Sequence, residues 1–94
     1  MSPILIAFLT ALAQVLGPLL IEWLKKLFDK AEKNVGPASA GNTDHVFDEA
    51  IRLTKGKPFR RALLRALKPM ASKGKLNASD KAELTALAGK AKSE

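Results

Sequence analysis

Apolar residues fill the first 21 positions of the chain almost without interruption, and after that they retreat to one side of a helical repeat. Residues 3–21 hold no ionisable side chain, and eleven of the 19 are Leu, Ile, Val or Phe. A helix of that length covers roughly 28 Å, close to the hydrocarbon thickness of a bilayer, and its composition favours insertion. Further on, Leu20, Trp23, Leu24, Leu27, Phe28, Ala31 and Val35 keep helical spacing with Lys25, Lys26, Asp29, Lys30 and Lys33 opposite, the pattern of an amphipathic helix.

The periodicity stops at residues 36–42, a run of small and helix-breaking residues that marks the one credible boundary. Three shorter apolar repeats follow. Val46, Phe47, Ala50, Ile51 and Leu53 form the first, with Thr43 or Asp44 as its cap and Gly56 and Pro58 as its stop. Phe59, Ala62, Leu63, Ala66, Leu67 and Met70 form the second, which opens at Pro58 and is limited by Pro69. A basic loop over residues 72–75 leads to the third, Leu84, Leu87, Ala88 and Ala91, behind a cap at Asn77 or Ser79. The expected fold is all-α: a transmembrane or membrane-embedded helix continuing into an amphipathic helix (1–35), a linker (36–42), and a small basic module of about three short helices (43–94).

Gly17-Pro18 interrupts the apolar stretch and allows two arrangements, a kinked span or a tight corner between helices 4–16 and 18–34. Around the first helix, Ala7, Thr10, Ala11, Gln14 and Gly17 make a small, mildly polar face, with Leu5, Phe8, Leu9, Leu12, Leu16 and Leu19 on the other side. In a membrane such a face is where helices approach closely, which points to a homo-oligomer or larger assembly. Trp23, Lys25 and Lys26 then read as the aromatic and cationic flank of a span at the membrane interface. Ala11-Leu12-Ala13 satisfies a small-x-small cleavage pattern, but no basic residue precedes the apolar core, so the segment is expected to be retained.

Charge changes the picture of the second half. The 94 residues carry 16 Lys and Arg against 9 Asp and Glu, a net +7. Nine of the cations lie in residues 52–75, where there is no acidic residue: Arg52, Lys55, Lys57, Arg60, Arg61, Arg65, Lys68, Lys73 and Lys75. This block alone accounts for the net charge, and its arginines suit bidentate contact with phosphate. A solvated basic face that only maintains solubility is the plainer alternative. The block lacks interleaved aromatics other than Phe59, and the helix after it lacks base-reading polar side chains, so sequence-specific recognition of nucleic acid is not expected.

Candidate chemistry is sparse. The chain has no cysteine and one histidine, His45, so thiol catalysis, a disulfide framework and a zinc cluster have no residues to build them. Lys55-Gly56-Lys57 lacks the upstream glycine and preceding strand of a phosphate-cradling loop. No catalytic residue, metal site or cofactor is expected. The expected role is non-enzymatic: a membrane-anchored basic protein that binds phosphates of nucleic acid or anionic lipid, as in a phage or viral virion. Its basic module would lie on the cytoplasmic side or face the genome inside the virion. Two alternatives share the layout, a holin-like or toxin-like membrane-perturbing oligomer and a structural scaffold subunit whose apolar helix is buried by neighbouring copies.

Overall fold

Proline opens three of the helices, because the first helical position needs no N–H donor. The computed structural model describes all 94 residues. It contains α1 (Pro3–Leu16), α2 (Pro18–Val35), α3 (Thr43–Leu53), α4 (Pro58–Lys73) and α5 (Ala78–Lys92), with no strands. Pro3, Pro18 and Pro58 stand at the starts of α1, α2 and α4. The start of α5 is set by side chains instead: Asn77 accepts from the Asp80 N–H at 2.8 Å, and Asp80 accepts from the Asn77 N–H at 3.2 Å.

Of the two arrangements open at Gly17-Pro18, the chain takes the corner. Gly17 has φ 84° and ψ 164°, a conformation that side-chain-bearing residues rarely adopt, and its N–H donates to the Ala13 carbonyl at 3.0 Å. The apolar stretch is thereby divided between two helices. No helix is long and apolar enough to cross a membrane, which corrects the expectation of a transmembrane helix. The 14 residues of α1 reach only about 21 Å, and α2 becomes charged from Glu22 onward.

What the leucines of α1 meet is protein. Leu5, Leu9, Leu12 and Leu16 are buried and Phe8 and Val15 are half-buried, as α1 packs on α2 and α5. Each helix packs on its neighbours in the chain and α5 returns to α1, closing a ring that the α2–α5 contact crosses. Twenty buried apolar residues drawn from all five helices, with Ala38 from the α2–α3 connection, form one cluster. The radius of gyration is 12.0 Å, as expected for one compact body of this length. At the centre, the Phe47 ring meets Phe28 edge-on at 5.0 Å and Phe8 at 6.1 Å, so α3 is keyed to both α1 and α2.

Two carboxylates hold helix starts from far away in the sequence. Glu32, on α2, accepts from the Ser2 N–H at 3.2 and 3.3 Å and from the Ala38 N–H at 2.7 Å. It therefore secures the entry of α1 and the connection after α2 together. Glu94 accepts from the N–H groups of Phe59 and Arg60 at 2.7 and 2.9 Å, supplying the negative group that the first turn of α4 lacks.

The buried side of α4 differs from the expected stripe. Arg60, Leu63, Leu64, Leu67 and Met70 are buried, Ala62 and Ala66 are half-buried, and Phe59 is exposed beneath the Lys90 ammonium, 5.6 Å from the ring centroid. Both α3 and α5 pack on α4, so the helix buries an arc wide enough to include Leu64 and Arg60. Pro69 does not end the helix, which continues to Lys73 and stops at Gly74 in the left-handed conformation. The proline is on the exposed side, where water can satisfy the carbonyl it leaves unpaired.

Candidate functional site

The nine cations of residues 52–75 do not form one continuous row. Three are matched by acidic partners within the fold. Arg52 makes a two-pronged contact with Glu49, Nε to Oε1 at 2.8 Å and Nη2 to Oε2 at 2.6 Å. Asn34 adds a bond of 2.7 Å to the same carboxylate, joining α2 to α3. With the Arg52 and then the Asn34 hydrogen bonds favouring its charged form, the Glu49 carboxyl is lowered from 4.5 to about 2, and the Arg52 guanidinium is held above its ordinary range by the same contact. Lys68 donates to Asp48 at 2.7 Å, which raises its pKa and joins α4 to α3. Lys73 lies 3.4 Å from Asp80.

Arg60 is largely withdrawn from the surface. It is buried, its Nε donates to the Ala91 carbonyl at 3.0 Å, and its guanidinium lies 5.0 Å from the centre of the Trp23 ring. The cation thus adds a donor to a carbonyl in the last turn of α5 that also accepts from the Glu94 N–H at 3.2 Å, and it stacks on an aromatic face. Two expectations are corrected by this one contact. Arg60 is not available to a phosphate surface, and half-buried Trp23 is a packing residue against α4 in place of an aromatic anchor at the end of a span. Lys25 and Lys26 remain exposed, with Lys25 3.5 Å from Glu22.

Lys55, Lys57, Arg61, Arg65 and Lys75 are left without acidic partners. The fold gathers three of them. Lys57, Arg61 and Arg65, with the Asp80-paired Lys73, line an open cleft of about 830 Å³ between the α3–α4 connection, the outer face of α4 and the first turns of α5. Lys55 stands on the rim-forming connection, exposed, and Lys75 belongs to a different groove.

Local structure fixes the cleft. Thr54 ends α3, and its buried hydroxyl donates to the Ala50 carbonyl at 2.8 Å. Its own carbonyl accepts from Arg61 Nε at 3.1 Å, which orients that guanidinium and leaves its terminal N–H groups uncommitted. Arg65 follows one turn later on the same face, about 6 Å along the axis. Asp80 and Glu83 are the acidic groups of the opposing wall, and Asp80 is occupied by the Asn77 N–H and Lys73.

The small face of α1 is also placed. Ala7, Thr10, Ala11 and Gln14 are exposed and contact no other helix closely enough to be buried, and Gly17 is the corner itself. A Cβ at Gly17 would lie 3.2 Å from Lys92 Nζ, so its lack of a side chain serves the turn and the α5 end beside it. Sequence periodicity had no means of finding Glu32, Glu94 or the Arg60–Trp23 contact, because each joins segments 30 or more residues apart. The one local signal was that Arg60 shares helical spacing with Leu63, Leu64 and Leu67.

No group of three or more His, Cys, Asp or Glu side chains is arranged to hold a metal ion, and His45 is exposed. No protein-family model, curated protein or solved structure matches the chain. The fold and the cleft together define an all-α protein with a localised cationic groove.

Proposed function

We propose that this chain is a non-enzymatic interaction protein whose α4 cleft binds the phosphate backbone of nucleic acid without sequence preference. The observation that carries the reading is the convergence of Lys57, Arg61 and Arg65, three cations without acidic partners, in one cleft of the fold. Arginine presents paired N–H donors that match phosphate oxygens, and Arg61 is already oriented by Thr54. A concave, open groove admits a strand backbone, whereas a flat bilayer reaches only its rim. Neither Asn nor Gln lines the cleft, and its one large apolar contribution is from Met70 and Leu87, so base edges find no reader and bases no aromatic platform.

Binding of a short duplex across a salt series tests this. With three to four phosphates contacted, the log-log slope is expected at about −3, and Arg61→Ala with Arg65→Ala reduces its magnitude by about two. A flat salt response, or a slope unchanged in the double variant, contradicts the reading.

A further inference from the structure

The exposed half of α1 is the one helical surface of this strongly basic protein that carries no charge. Ile4 and Ile6 are 42% and 51% exposed, and Ala7, Thr10, Ala11 and Gln14 complete the face. The Thr10 hydroxyl is spent within the helix, donating to the Ile6 carbonyl at 2.8 Å, which leaves Gln14 as the one uncommitted polar side chain of the face. A groove runs along each side of this ridge. One, of about 470 Å³, is floored by apolar residues including Phe8, Met70 and Leu76, and its only charged side chains are Lys75 and Lys81. The other, of about 220 Å³, is lined by Lys25, which lies 3.5 Å from Glu22. Neither Lys75 nor Lys81 has an acidic partner in the fold.

We propose that this ridge docks in the plane of an anionic lipid surface, with Ile4 and Ile6 entering the acyl boundary and the unpaired Lys75 and Lys81 meeting headgroup phosphates. An apolar strip bordered by unpaired lysines suits an interfacial site. The same flanks argue against a second copy of the chain, since pairing ridge to ridge sets lysines against lysines. Size argues likewise. A helix of 14 residues offers a strip of roughly 200 Å², far below the ~800 Å² per partner of a stable interface. A bilayer needs no matching surface of that extent. The ridge is separate from the Arg61–Arg65 cleft, so this proposal stands or falls independently of nucleic-acid binding.

Flotation of the full chain with vesicles decides it, comparing phosphatidylcholine alone with phosphatidylcholine containing phosphatidylglycerol. Binding is expected to the anionic vesicles and to be weak on the neutral ones. Ile6→Glu should reduce it at least tenfold, and Lys75→Ala with Lys81→Ala about 20-fold. Both substitutions lie on exposed positions, and an unchanged helical circular dichroism spectrum and melting curve verify that the variants are folded. Arg61→Ala with Arg65→Ala should bind the vesicles within about twofold of the parent chain. The proposal is overturned by absence of binding to anionic vesicles, by a loss in the Arg61/Arg65 variant equal to that in Ile6→Glu, or by a sedimenting dimer that Ile6→Glu dissociates.

Discussion

The guanidinium of buried Arg60 lies 5.0 Å from the centre of the half-buried Trp23 ring. The contact ties the second turn of α2 to the first turn of α4, and the Arg60 bond to the Ala91 carbonyl brings the end of α5 to the same point. A charge held this way contributes to the fold, and what it holds together is the scaffold on which the cleft is built.

Arg60→Ala is therefore expected to lower stability by about 2–3 kcal/mol, combining a charge-assisted hydrogen bond, the stacking on Trp23 and the buried side-chain stem. Chemical denaturation followed by Trp23 fluorescence measures it. The salt dependence of duplex binding should be unchanged below the transition, which separates Arg60 from Arg61 and Arg65.

The two faces of α1 should respond in opposite ways. Leu9 is fully buried, and Leu9→Ala is expected to cost about 2–5 kcal/mol, while exposed Gln14→Ala stays within about 0.5 kcal/mol. Gly17→Ala, which forces a side chain into a positive-φ corner, should cost about 1 kcal/mol or more. Thermal melts of the three variants check the order.

Local patterns in the sequence reach most of the helix boundaries. Gly17-Pro18, Pro58 and Asn77 each act through their own backbone or the next turn, so they are legible one residue at a time. The leucine side of α1 was equally legible as a face. Its surroundings were not, because a run of leucines reads the same whether lipid or neighbouring helices cover it. The cationic block was visible in the composition, but its division into paired, buried and free cations depends on Glu49, Asp48, Asp80 and Trp23, whose positions only the folded chain fixes. Hence the outward placement of Arg61 and Arg65 on α4 was recognisable, and the burial of Arg60 beside them was not.

Glu32→Ala removes the acceptor shared by Ser2 and Ala38 and is expected to cost about 1–2 kcal/mol. Ser2→Ala should be neutral or stabilising, although serine is ordinarily a favourable residue before a helix. Its hydroxyl is buried with no hydrogen-bond partner and makes no cap bond to α1. Urea denaturation of both variants distinguishes the distant carboxylate from the local hydroxyl as the group that secures this helix start.

Acid should reveal the Glu49 contact. Its carboxyl is depressed in the folded state from 4.5 to about 2, so its contribution is complete above the unfolded value and is lost as pH falls from 4.5 toward 2. The stability difference between the parent chain and Glu49→Gln should accordingly be constant above pH 4.5 and close on acidification. Carboxyl NMR titration of Arg52→Gln should find the Glu49 value moved back toward its ordinary range.

Amide shift mapping of the full chain, titrated with a short DNA duplex, tests the proposal that polyanion binds where the fold leaves cations unpaired. Perturbations are expected to concentrate at Thr54, Lys57, Arg61, Arg65 and Lys73, with Arg52, Lys68 and the exposed face of α1 unmoved. Perturbations centred on α1, or spread evenly over every lysine and arginine of the chain, would contradict it.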